Sequence, residues 1–300
     1  MRAIISRPAM SALIRKHRWL PAAAFLTTVL ALGIVLAVHL GIFWIASAAA
    51  ATLATAYAWG YASRALWQVN WPALDHLNRR QYAEVWNALA SSPEKAVAAA
   101  CGELSEGQLQ SSGTATAREL IELASIGSRD DVLEIGPGVG RVAWALAPQC
   151  RHWTGADISP NMLGYAADRL KARSNVRLVQ LPNVGLEPFS DKSFNIVYTT
   201  DMFEHLDEID RWQYVREAFR VLEPGGRFYM DNIDLESDVG WARFAVNARL
   251  FAPLERPPYI PTLSTAAELT AYAKRAGFEQ IQAHHRPPLV IVVAVKPLSL

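Results

Sequence analysis

Cysteine is scarce, with two in 300 residues. Cys101 and Cys150 have no metal-type spacing, so a disulfide framework and a structural zinc site are both excluded and no metal centre is expected. Acid is absent from residues 1–74, which hold Arg2, Arg7, Arg15, Lys16, Arg18 and Arg64. Subtracting those six bases from 29 leaves 23 against 28 acids in the remainder, a formal charge of −5. That acidic body has no basic, aromatic-interleaved patch, which excludes a nucleic-acid partner. Two phosphate signatures are also missing. No G-x-x-x-x-G-K-[ST] loop occurs, and a G-x-G-x-x-G turn would need glycine where Arg141 stands, so a pyrophosphate-binding dinucleotide turn fits poorly.

Asp, Glu, Lys and Arg are all absent from residues 19–63, which are dominated by Ala, Leu, Val, Ile and aromatics. As one helix this run would far exceed a bilayer core of about 30 Å, and it divides into two spans of about 20 residues. The sequence therefore predicts a transmembrane helical hairpin hinged near His39–Gly41. Trp19, Trp44, Tyr57, Trp59 and Tyr61 lie at interfacial positions. Bases before the first span, and Arg64, Arg79 and Arg80 after the second, place both ends on the cytoplasmic side. The expected localisation is a two-span membrane protein with a cytoplasmic catalytic domain and membrane lipid as a partner. A secretory signal ending near Ile45–Ala49 is the competing reading. The uncharged run continues well past that point and exceeds a signal's apolar core.

The expected organisation is a basic terminus (1–18), two spans (19–63), a helical linker (64–114) and a catalytic body (115–300) with an insertion at 234–263. In the linker, Trp67, Trp71, Leu74 and Leu77, then Tyr82, Val85, Trp86 and Leu89, recur at roughly helical spacing, which suits either an interfacial or a core-packing helix. From Asp131 onward strand and helix patterns alternate, predicting an α/β, doubly wound, mostly parallel sheet. Strands are expected at 132–135, 152–156, 176–180, 195–199 and 227–233, and helices at 141–147, 160–173 and 209–222. Segments 278–284 and 289–295, flanking Pro287-Pro288, suit a terminal antiparallel pair.

The richest chemistry lies in Asp131-Val-Leu-Glu-Ile-Gly-Pro-Gly-Val-Gly-Arg141, followed by Asp157 in Thr-Gly-Ala-Asp-Ile-Ser159. An apolar strand running into Gly136, Gly138 and Gly140, with an acid ending the next strand, is the arrangement by which such sheets cradle a nucleoside: glycines admit the ligand to the backbone, and the acid accepts from ribose hydroxyls. This stretch resembles the first motif of the class I S-adenosylmethionine-dependent methyltransferases. The turn at Leu222–Gly226 resembles that family's approach to its fifth strand. Thr199-Thr-Asp-Met-Phe-Glu-His-Leu206 is similar to the Glu-His-Leu segment of quinone-biosynthesis and related small-molecule methyltransferases. The resemblance covers about 115–300 and is weakest across 234–263.

The resemblance implies a cofactor, S-adenosyl-L-methionine, and a set of residues to hold it. Gly136, Pro137, Gly138 and Gly140 would form the backbone cradle, and Glu134, an acid in an apolar strand, would lie near the cofactor's ammonium. Asp157 would hold the ribose, with helix capping as its bland alternative. Ile158 and Met162 would flank the adenine, Met162 being equally suited to plain helix packing. Family members often carry Asp-Ala after the third strand. Here Asn183-Val184 stands in its place, and an Asn side-chain oxygen still accepts the adenine amino hydrogen bond. Thr200 and Asp201 would border the methyl group. His205 is a candidate general base, or a loop-ordering residue, and Asp231 a candidate to pair with or replace it. The aromatic, proline-rich 234–263 insertion would act as a substrate lid or as plain packing.

The expected function is a membrane-anchored methyltransferase acting on a small, lipophilic acceptor, with oxygen favoured over carbon or nitrogen. A catalytically inactive cofactor-binding membrane scaffold or sensor is the alternative.

Overall fold

Strand β1, Asp131–Ile135, is buried along all but its first residue, and a strand so enclosed requires neighbours on both edges and helices on both faces. The computed structural model supplies them. It describes residues 28–33, 74, 76–102, 105–251 and 256–299, and the chain divides into two units, Met1–Leu66 and Trp67–Leu300.

In the first unit the described residues, 28–33, are helical, with Leu30 and Leu32 exposed. The expected two-span hairpin is corrected at this point. Among the described residues no helix is long and apolar enough to cross a membrane. The rest of 19–63 lies outside the described residues. The membrane localisation, the cytoplasmic placement and the lipid partner deduced from the hairpin are withdrawn with it. The spans were read from the uncharged run, its interfacial aromatics and its flanking bases.

The second unit begins with helices α1 (Tyr82–Leu89), α2 (Pro93–Cys101) and α3 (Glu106–Ala124), followed by β1, α4 (Arg141–Leu146), β2 (His152–Asp157), α5 (Pro160–Leu170), β3 (Val176–Gln180) and β4 (Phe194–Thr199). Next come α6 (Glu208–Val221), β5 (Leu222–Ile233), α7 (Asp238–Leu250), α8 (Ala266–Ala276), β6 (Glu279–Arg286) and β7 (Leu289–Val295). The seven strands form one sheet in the order β3-β2-β1-β4-β5-β7-β6. The first five pair in parallel, and β7 runs antiparallel to both β5 and β6.

Alternation along the strands sends side chains to two cores. Leu133 and Ile135 pack with Val215, Ala218, Leu269 and Ala273 of α6 and α8. Val132 packs on the opposite face with Ala117, Leu120, Val142 and Leu146 of α3 and α4. Local signals set the helix starts. Ser159 caps α5 through the Met162 amide with Pro160 in the first turn, and Asp207 accepts from Ile209 and Asp210 at the start of α6. Both satisfy amides that have no partner inside the helix.

Element boundaries differ modestly from the sequence pattern. α5 stops at Leu170, short of 173, and β2 continues to Asp157. The expected turn at Leu222–Gly226 is a bulge inside β5, where the register to β4 jumps from Phe194↔Leu222 to Ile196↔Arg227 and Gly225 has φ +79.

One buried guanidinium ties the second half together. Arg211 on α6 is 1% exposed and donates to the Phe203 carbonyl (2.8 Å), Ser264 Oγ (3.0 Å), Glu268 Oε1 (3.0 Å) and the Thr262 carbonyl (3.2 Å). Replacing it by Met would leave Glu268 without its charge partner and several buried acceptors unmatched. Arg211→Met is expected to cost about 3–5 kcal/mol, read as a lower urea midpoint at unchanged m-value; an unchanged midpoint contradicts this role.

Candidate active site

The sheet order reverses between β1 and β4: from β1 the chain moves outward through β2 and β3, then crosses back to β4. Ligands in open α/β sheets bind at such a switch point, beyond the strands' carboxyl ends. A cleft of about 810 Å³ of atom-free space, its open mouth included, lies there.

The segment after β1 forms its floor. Gly136, Gly138 and Gly140 have φ of +74, +53 and +76, all in the left-handed region. Gly136 is the most constrained of them, because an added Cβ would lie 2.6 Å from Met202 Cγ. Asp157, 8% exposed, ends β2 beside this loop. Its carboxylate accepts from the Gly138 amide (3.1 Å) and the Ser159 amide (2.9 Å). Burial raises its pKa to about 6, against the pull of these amides.

Glu134 projects to the same sheet face as Val132 and sits opposite Tyr198 in β4 and Gly155 in β2. Gly155 leaves room for the Trp153 ring, whose Cη2 would be 2.3 Å from an added Cβ. Trp153 Nε1 donates to the Tyr198 hydroxyl (3.0 Å), which donates to Glu134. Burial still dominates, lifting the Glu134 pKa to about 7.

Arg141, 8% exposed, lines the cleft, bonding Thr116 Oγ1 (2.9 Å) and pairing with Asp201 (2.6 Å). Asp201 has φ +55, and its amide donates to Asp231 (2.9 Å). Asp231 is buried, and burial followed by the Asp201 charge raises its pKa well above the usual range.

His205 closes the far wall in a short 3₁₀ turn, Phe203–His205. Its ring meets Trp86 of α1 edge-on with centroids 4.6 Å apart. It is hydrogen-bonded to the Tyr259 backbone, and Nδ1 is buried without a partner. Burial, then the Arg79 and Arg243 charges, lower its pKa to about 3. Glu204 lies behind it, 3.6 Å from Nε2. Burial raises the Glu204 pKa to about 7.

Glu134, Gly136, Pro137, Gly138, Asp157, Ile158, Met162, Thr200 and His205 thus line one cleft. Gly140 stands just behind it, capping α4 and packed on Ala166 and Leu170 of α5. Asn183, exposed, and Val184, partly buried on the α6-side core, are not among the lining residues; Leu181 is, from the same loop. Asp231 is also outside the lining, acting through the Asp201 amide. Sequence reasoning missed Tyr82 and Trp86, which α1 places in the wall, and Arg141, Met202 and Tyr214. Helical periodicity suited α1 to either an interfacial or a core-packing helix and did not show which sheet end it covers.

Residues 133–230 match the family described as Methyltransferase domain. This segment is a class I, S-adenosylmethionine-dependent methyltransferase domain. The chain is 31% identical over 128 residues to Methyltransferase GfsG of Streptomyces halstedii, a match covering 42% of this chain and 45% of the relative. It is 34% identical over 110 residues to Demethylmenaquinone methyltransferase of Tropheryma whipplei, covering 37% and 44%. The matches thus span less than half the length of these curated relatives. The N-methyltransferase NodS of Bradyrhizobium japonicum, solved with S-adenosyl-l-homocysteine, shares the fold at 15% identity with a TM-score of 0.53, covering 74% of this chain and all of that one.

The methyltransferase domain's residues fit this cofactor. A three-glycine cradle gives close backbone approach, Asp157 has lone pairs beyond its two amide bonds, and the buried Glu134 carboxyl suits an ammonium. Its two raised carboxyls have a pH consequence. With folded pKa values above the unfolded ones, Asp157 and Glu134 withdraw stability from the empty protein as pH rises from about 4 through about 7. A bound ammonium favours the ionised form, so binding releases protons. Affinity for S-adenosylhomocysteine is expected to rise between pH 5.5 and 8, with proton release shown by calorimetry in buffers of different ionisation enthalpy. Flat affinity would contradict the assignment of Glu134.

Proposed function

We infer that this protein transfers a methyl group from S-adenosylmethionine to a hydroxyl of a small, largely apolar acceptor, oxygen being favoured over carbon or nitrogen. The observation that carries this reading is the meeting of the Gly136–Gly140 cradle and Asp157 with a neutral His205 in one cleft. The donor, when bound, supplies an electrophilic methyl on a sulfonium.

The chain's own residues do the rest. Gly136, Pro137, Gly138 and Gly140 hold the amino-acid end of the donor, with Glu134 at its ammonium and Asp157 at its ribose. Ile158 and Met162 flank the adenine, Asn183-Val184 close the loop beyond it, and Thr200 borders the methyl. The acceptor wall is apolar and aromatic, formed by Tyr82, Trp86, Met202, Leu206 and Tyr214, which excludes water and favours an apolar ring. With its proton on Nε2, His205 has Nδ1 available to accept from the acceptor hydroxyl and aim its oxygen. A pKa of about 3 makes it a weak base. That suffices for an oxygen acceptor, because methylating a neutral hydroxyl makes its proton strongly acidic, and the proton passes to Nδ1 late. Asp231 contributes by holding the Asp201 amide, and Asp201 in turn anchors Arg141.

Incubation with methyl-labelled donor and matched phenol, enol and amine acceptors tests this. Label is expected on the phenolic oxygen. His205→Ala should lower kcat by about 10²-fold with donor affinity unchanged. Label on amines alone, or kcat indifferent to His205, overturns the oxygen assignment. Donor binding without turnover across the panel favours a scaffold.

A further inference from the structure

The 234–263 insertion builds a second cavity that methyl transfer leaves unused. About 860 Å³ of atom-free space, its open mouth included, lies between the loop carrying Arg79 and the insertion. Leu235, Phe244 and Ile260 supply apolar walls, and Arg79, Arg256 and Asn247 supply polar groups. No acidic side chain lines it among the described residues.

Among the described residues the cations there make no ion pair, and Arg79 feels the carboxylates of Asp207 and Glu208 only at longer range. Arg79 is held by two carbonyls, donating to Ile260 (2.6 Å) and Glu204 (3.1 Å). Carbonyls orient a guanidinium without compensating its charge. Its Nε is buried without a partner, and burial lowers its pKa. Neither Arg79 nor Arg256 has a carboxylate within ion-pair distance, and the Asn247 carboxamide makes no hydrogen bond, among the described residues. A partly desolvated guanidinium with an unsatisfied Nε and no ion-pair partner among the described residues is costly, and a guanidinium and a carboxamide lining one groove match a carboxylate's planar lone pairs. Apolar walls beside that polar end favour a ligand with an aliphatic or aromatic tail.

We propose that this groove binds a small amphiphilic carboxylate, its head at Arg79, Arg256 and Asn247 and its tail along Leu235, Phe244 and Ile260. The site is separate from the methyl-transfer reading, and its test requires no methyl donor. Calorimetric titration of the full chain with octanoate, 1-octanol (tail alone) and acetate (head alone) decides it. Octanoate binds one site at least about tenfold more tightly than either partial probe. Arg256→Gln, a change at an exposed side chain, weakens octanoate about tenfold while leaving octanol unchanged, and Arg79→Gln does the same. Equal affinity for octanoate and octanol, equal affinity for octanoate and acetate, or an octanoate affinity indifferent to Arg256→Gln each overturns the proposal. So does displacement of octanoate by saturating S-adenosylhomocysteine, which would put it in the donor cleft. Should Arg79→Gln fail to fold, Arg256→Gln decides alone.

Discussion

The carboxylate of Asp157, held at the end of β2 by the amides of Gly138 and Ser159, is the contact on which the cleft's geometry depends. It joins the loop after β1 to the start of α5, so the glycine turn is tied to the second strand's end. That is possible because β1 and β2 pair in register up to Ile135↔Ala156 and the Gly136 amide continues the ladder to the Ala156 carbonyl (2.8 Å). Strand pairing thus delivers the acid and the cradle to one edge, and the outward turn of the chain there leaves the crevice open.

Around that contact the protein buries several ionisable groups. Glu134, Asp157, Glu204 and Asp231 are all pushed toward the neutral form by burial, and His205 likewise. Each has a defined neighbour: Tyr198, the Gly138 amide, Arg243, the Asp201 amide and Trp86 respectively. Buried groups of this kind cost stability in the empty protein. They cluster where a cationic, hydroxyl-rich ligand would repay the cost, a pattern typical of functional sites.

Most of the sheet was legible in the sequence. Short apolar runs, the spaced glycines and the caps at Ser159 and Asp207 are local signals, and local signals set strands and helix starts. The lining of the cleft was legible where it follows directly from a strand end, as at Gly136, Asp157 and Thr200. It was illegible where it depends on packing across the chain. Tyr82 and Trp86 reach the site from a helix nearly fifty residues before the glycine turn, and nothing in their spacing shows which sheet end they meet. Arg141 read only as a departure from a dinucleotide pattern, yet it pairs with Asp201, sixty residues away. Its carbonyl also packs so closely on α3 that a Cβ at Gly113 would lie 2.3 Å from it. Asn183, placed by counting back from Pro188-Phe189, is exposed and does not line the cleft, whereas Leu181, two residues earlier, does. The uncharged stretch at 19–63 gave the expectation of two spans, and among the described residues no helix is long and apolar enough to cross a membrane.

The proposed grip of Asp157 on a nucleoside is open to direct measurement. Calorimetric affinity for S-adenosylhomocysteine should fall at least about hundredfold in Asp157→Ala, the loss expected for two hydrogen bonds to a charged acceptor, in a protein whose circular dichroism matches the parent. Equal affinity in the folded variant would contradict the account.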